Sequence, residues 1–255
     1  MNRLAAAFCL ALSLVTAGCM NIAQTITLQK DLSGTAAMTM TADLEPMVMM
    51  FAKVQHEMTG GKGDPPAALI EKARQELLAA KSADPVDIED EKEGLRESLP
   101  QGVKLLEASF KDDGLKLIGQ FVLGFDKLSK LTDISLDAPG GDVSPAPVDN
   151  PMQRPFEGLK VVDEGGTILI TSPTHNPLAG ETKPGEAADP MAKAMLETMM
   201  KGFRVAFRLN APFEVIEHNA HRKDGTTLVW EYDYASIEKL FGDGAAPAIR
   251  VKYKK

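Results

Sequence analysis

Cysteine is almost absent: the chain of 255 residues has 2, Cys9 and Cys19, and none follows Cys19. Beyond that point a disulfide framework, thiol catalysis and a cysteine-ligated metal are excluded. Basic charge is in short supply, with 28 Lys and Arg against 36 Asp and Glu and a formal net charge of −8. Nucleic-acid affinity comes mainly from neutralising phosphates, so an acidic chain is a poor nucleic-acid binder. Anionic headgroups would repel it as well, so charge alone would not hold it at a membrane. After the first residues no apolar run approaches the roughly 20 residues that a spanning helix needs. Catalytic motifs are also lacking. No Gly-x-Ser-x-Gly elbow occurs, and acidic runs such as Glu89-Asp90-Glu91 fit a solvated face better than acid/base work. Gly60-Gly61-Lys62-Gly63 lacks both the preceding Gly and the following Ser or Thr of a phosphate loop. The chain reads as non-catalytic, with no cofactor or metal. At 44% hydrophobic residues it can bury a core, and its length suits one domain or at most two small ones.

The start of the chain is informative. Asn2-Arg3 is a basic beginning, Leu4 to Val15 an uncharged apolar middle, and Ala17-Gly18 the small residues before Cys19. This layout resembles a bacterial lipoprotein signal, with Thr16 where Leu or Val is commoner. The resemblance implies that residues 1–18 are a signal peptide. It also implies that Cys19 is diacylated on sulfur and acylated on its new amine, so that residues 19–255 form one lipid-anchored extracytoplasmic domain. Several acyl chains hold durably, at about 0.8 kcal/mol per buried methylene. Met20 rather than Asp after the cysteine implies, in a Gram-negative host, the outer membrane facing the periplasm.

Hydrophobic periodicity then gives an α+β order. Ile22, Ile26 and Leu28 alternate with Thr25, Thr27 and Gln29. After a turn at Lys30–Gly34, Ala36, Met38 and Met40 alternate with Thr35, Thr39 and Thr41. Two period-2 runs around a Gly-bearing turn predict a hairpin. A helical insertion follows at about 44–98. Leu44, Met47, Val48, Phe51, Val54 and Met58 recur at helical spacing, Asp64-Pro65 opens a second helix to about Lys81, and Asp84-Pro85 opens a third.

Strands are expected again at Val103–Phe110, Leu115–Phe125, Gly158–Val162, Thr167–Thr171, Phe203–Leu209, Phe213–Asn219, Thr226–Tyr234 and Ile249–Tyr253. Short helices are expected at Asp126–Ile134, Asp189–Lys201 and Ser236–Phe241, and Pro/Gly loops at 137–155 and 172–188. Hairpins joined by tight turns pair antiparallel, so the expectation is an antiparallel sheet with helices packed on one face.

Two side-chain groups could carry chemistry. His218-Asn219-Ala220-His221 has a two-ligand spacing, but at a strand end leading into a turn it reads as solvated turn residues. Of 13 methionines, only Met1 lies in the leader. Met47 sits on the first helix with Phe51, and Met191, Met195 and Met199 make one helical stripe. Thioethers bind Cu(I), which makes copper handling a minor alternative. The i, i+4 spacing instead suits core packing or an adaptable apolar surface. Met47, Phe51, Met191, Met195 and Met199 are the candidate ligand-binding residues.

The first strand starts at about Ile22, so the tether to Cys19 is on the order of 10 Å. A first hairpin directly after the lipidation signal resembles the LppM-type bacterial lipoproteins. So does the late pattern Phe213-Glu214-Val215-Ile216-Glu217-His218-Asn219, a turn at Gly225, and Thr227-Leu228-Val229-Trp230-Glu231. The resemblance implies a membrane-apposed α+β domain with affinity for lipid or glycolipid. The chain departs from that family in lacking a C-terminal transmembrane segment. The expected function is a non-catalytic lipoprotein that binds a lipid or other apolar ligand at the membrane surface. The alternative is a structural or assembly lipoprotein that binds an envelope protein.

Overall fold

The computed structural model describes residues 19–82, 88–134, 159–172, 202–233, 235–236 and 249–255. Strands β1 (Cys19–Leu28) and β2 (Gly34–Asp43) form the expected hairpin, with Ile26 opposite Ala36 and Ile22 opposite Met40. The turn is closed by Asp31, whose Oδ1 accepts from Ser33 N at 3.0 Å and from Ser33 Oγ at 2.6 Å. The residue with positive φ is Leu32 (67°), while Gly34 already belongs to β2. Gly34 is needed for a different reason, since a Cβ there would lie 2.0 Å from the Thr27 carbonyl oxygen.

Helix α1 (Glu45–Met58) follows β2 directly, its first N–H donating to Asp43 Oδ1 at 3.0 Å. Helix α2 (Ala67–Ser82) starts later than the Asp64-Pro65 signal suggests. Pro66 follows Pro65, and the residue before a proline is kept out of the helical region, so the first helical carbonyl is that of Pro66, accepting from Leu69 and Ile70. Helix α3 (Ile88–Ser98) carries the acidic run. Strands β3 (Val103–Asp113) and β4 (Lys116–Phe125) make the second hairpin, and the stretch after it is a 3₁₀ helix, Leu128–Asp133. Then come β5 (Lys160–Asp163), β6 (Thr167–Ser172), β7 (Arg204–Asn210), β8 (Glu214–His218), β9 (Arg222–Asp224), β10 (Thr227–Asp233) and β11 (Ile249–Lys254). The two long Pro/Gly loops, the helix expected at Asp189–Lys201 and most of that at Ser236–Phe241 lie outside the described residues. Among the described residues no helix is long and apolar enough to cross a membrane.

The fold is α+β, with the strands divided between two sheets. One has seven strands in the order β3-β4-β2-β1-β7-β10-β9, the other four in the order β5-β6-β11-β8. Among the described residues every pairing is antiparallel except β1 with β7, whose Ile26 and Leu209 are register partners. That junction joins distant segments, so no turn signal announces it. Positions sharing the Ile26 side of the large sheet include Leu28, Ala36, Leu123, Phe207, Leu209, Leu228 and Trp230, and they form one buried cluster with Ile168, Ile170, Val251 and Tyr253 of the small sheet. The small sheet therefore covers much of this face. Helices α1 and α2 cover its other end, where Leu44, Met47, Leu77, Leu115 and Leu117 meet.

Trp230 joins the two sheets. It is fully buried, its ring lies edge-on to Phe207 at 5.7 Å, and its Nε1 donates to Asn219 Oδ1 at 2.9 Å. The same oxygen accepts from Arg250 N of β11 at 2.8 Å.

Tyr253 is also fully buried, 5.9 Å from the Phe213 ring, and its hydroxyl has no hydrogen-bond partner among the described residues. Burial pushes its pKa well above the ordinary value. Because the folded state keeps the phenol neutral, its effect on stability is flat below the unfolded pKa of about 10 and turns unfavourable as pH rises past it. Tyr253→Phe should therefore leave the urea midpoint near neutrality unchanged or higher, and should lessen its fall above about pH 10. A loss of more than about 1 kcal/mol near neutrality would mean that the hydroxyl has a partner.

Candidate functional site

The end of the large sheet that starts at Cys19 gathers several features. Cys19 is the first residue of β1 and lies opposite Asp43, and Asp43 in turn lies opposite Lys116. The interval expected between Cys19 and the first strand is therefore absent. Leu44 N donates to Leu115 O at 2.8 Å, which ties the entry of α1 to the β3–β4 turn at the same end. On the β7 side, Asn21 pairs with Arg204, and Arg204 pairs with Asp233 of β10.

A cleft of about 330 Å³ opens there. Ala23 and Ala206, register partners on adjacent strands, leave a shallow place among the longer side chains of Arg204, Arg208, Glu231 and Asp233. These charges answer one another. Arg208 lies 3.8 Å from Glu231, Arg222 reaches the same carboxylate at 3.6 Å, and Arg222 also donates to Asp224 at 2.8 Å. The Ser236 hydroxyl, then the Ser236 N–H donating at 2.8 Å, holds the Asp233 carboxyl below the usual carboxylate range, with Arg204 adding to the effect. Burial raises the Tyr232 phenol. The cleft thus presents both signs of charge together with Asn21 and Ser236 as neutral hydrogen-bonding groups. Such a lining suits a polar group that both donates and accepts.

The candidate residues do not all come together. Met47 is buried at 5% exposure, packed with Leu44 against Leu77, Leu115 and Leu117. Phe51, one turn on, is 42% exposed. Met191, Met195 and Met199 lie outside the described residues. His218 and His221 are exposed; His218 Nδ1 accepts from Ala220 N at 3.2 Å, and His221 Nδ1 lies against the Glu231 backbone, 3.0 Å from its carbonyl oxygen and 3.2 Å from its nitrogen. Among the described residues no group of three or more His, Cys, Asp or Glu is placed to hold a metal ion.

No protein-family model matches the chain. No curated protein matches it in sequence. Among solved structures, it is similar to the folded domain of LppM from Mycobacterium tuberculosis. The two share 11% identity over 93% of this chain and 89% of that chain, with a TM-score of 0.41.

Periodicity did not point to the cleft residues. Arg204 and Arg208 read as the polar alternates of an amphipathic strand. Only the β7–β10 register sets them facing Glu231 and Asp233, and β8 and β9 intervene between those strands in sequence.

Proposed function

We propose that this chain is a non-catalytic lipoprotein, acylated at Cys19, whose domain sits against the membrane and binds a lipid at the membrane surface. The observation that carries this reading is the placement of Cys19 as the first residue of a strand central to the seven-stranded sheet. Acyl chains on that residue would leave no linker, so this end of the sheet would meet the headgroups. The cleft with Arg204 and Asp233 opens at that end and would take the polar part of the lipid.

The test is uptake of a fluorescent fatty-acyl phospholipid by the purified acylated protein. Saturable binding is expected. Arg204→Gln should weaken it about tenfold, the scale of one hydrogen bond to a charged group. Absence of saturable uptake would remove the ligand-binding part of the proposal. Co-purification with a defined envelope protein, and no lipid in native mass spectra, would then favour the assembly reading.

A further inference from the structure

Helix α1 carries an apolar stripe that runs further along its length than its packing partners reach. Leu44, which precedes it, and Met47, Val48 and Ala52 are buried against α2 and the β3–β4 turn. Phe51, Val54 and Met58 follow at i+4, i+7 and i+11 from Met47, so they continue the same stripe toward the end of the helix. They are 42%, 41% and 82% exposed. Lys53 and Glu57, both exposed, project from the other side, where Met49 is exposed as well.

Why this flank is left open follows from the route of the chain. α1 leaves β2 at the Cys19 end and packs onto Leu115 and Leu117 through Leu44 and Met47 at its start, which leaves the later part of the stripe uncovered. α2 takes up its inner side through Ala52 and Ala73.

We infer that α1 lies on the bilayer surface, with Phe51, Val54 and Met58 entering the boundary between headgroups and acyl chains. This inference rests on the acylation of Cys19. The occupant follows from position. Cys19 pairs with Asp43, and α1 begins two residues later, at Glu45. A helix of 14 residues is about 21 Å long at 1.5 Å per residue, so the ridge lies within that distance of a helix start beside the attachment point. Once the anchor is embedded, contact between ridge and bilayer is intramolecular, and a small apolar surface is enough to sustain it. A second copy or a protein partner has no such advantage. The chain's net charge of −8 also means that apolar contact, not electrostatic attraction, must hold this surface to lipid.

The test uses the full acylated protein in phosphatidylcholine vesicles. An acylated Cys19 has no free thiol and no cysteine follows it, so an introduced cysteine can be spin-labelled alone. Phe51→Cys, Val54→Cys and Met58→Cys should give severalfold higher ratios of oxygen to nickel-chelate accessibility than Lys53→Cys and Glu57→Cys. Water-like ratios at all five positions, with the protein still carrying acyl chains, would overturn the docking of α1 and leave the anchor in place. Ridge labels shielded from both reagents would overturn it in favour of a protein neighbour. Absence of acyl chains on Cys19 would remove the reading beneath it and this inference together.

Discussion

Trp230→Ala should lower the unfolding free energy by about 3–5 kcal/mol, the largest loss expected from a single side chain here. Trp230 is fully buried among Ile26, Phe207, Leu209 and Leu228, in the cluster that the two sheets share. Truncation would remove its apolar contacts and leave a cavity that a rigid sheet-on-sheet core cannot easily close. It would also remove a donor. Asn219 Oδ1 would lose the indole N–H that it accepts alongside the Arg250 N–H, loosening the point where β11 meets the end of β8. Trp230→Phe should cost less, because it keeps most of the ring volume and loses chiefly the hydrogen bond. Denaturant midpoints followed by far-UV circular dichroism would test both, since the chain has 1 Trp and its fluorescence disappears in either variant. A loss below about 1 kcal/mol for the alanine variant would mean that the two sheets do not depend on this contact.

Cys19→Ser should abolish acylation and with it all stable membrane attachment. The expectation comes from the proposed anchor. No helix among the described residues can cross a bilayer, and an acidic domain gains little from anionic headgroups. Acyl chains at about 0.8 kcal/mol per buried methylene would supply nearly all of the holding energy. The backbone pairing of Cys19 with Asp43 does not involve the thiol, so the variant should still fold. Labelled palmitate should enter the parent protein and not Cys19→Ser, and only the parent should sediment with membranes. Equal sedimentation of the two proteins would place the attachment elsewhere in the chain.

Much of the secondary structure was legible because it rests on short-range rules. The β1–β2 hairpin follows from alternation on either side of a turn, and its buried residues are Met20, Ile22, Ile26, Leu28, Ala36 and Met38. The β3–β4 and β5–β6 hairpins and the strand with Trp230 follow in the same way. Even here the turn chemistry differs from the pattern. The glycine of the first turn lies in the strand, where the Thr27 carbonyl excludes a Cβ, and Leu32 takes the positive φ while packing on the core.

The candidate site was less legible. Met47 and Phe51 sit on one helix at i, i+4 spacing and look alike in sequence, yet one is core and the other is surface. Periodicity reports how apolar residues are distributed around a helix. It does not report how far along that helix its neighbours extend.

From the sequence alone came the α+β order, the hairpins, the lack of thiol chemistry in the domain and the leader-like start ending at Cys19. Each of these depends on residues within a few positions of one another. The tertiary structure alone decided the division into two sheets, the parallel β1–β7 junction, the cleft between Arg204 and Asp233, and the open flank of α1. Those features come from contacts between segments far apart in the chain, where register and coverage, not local preference, determine what each side chain faces.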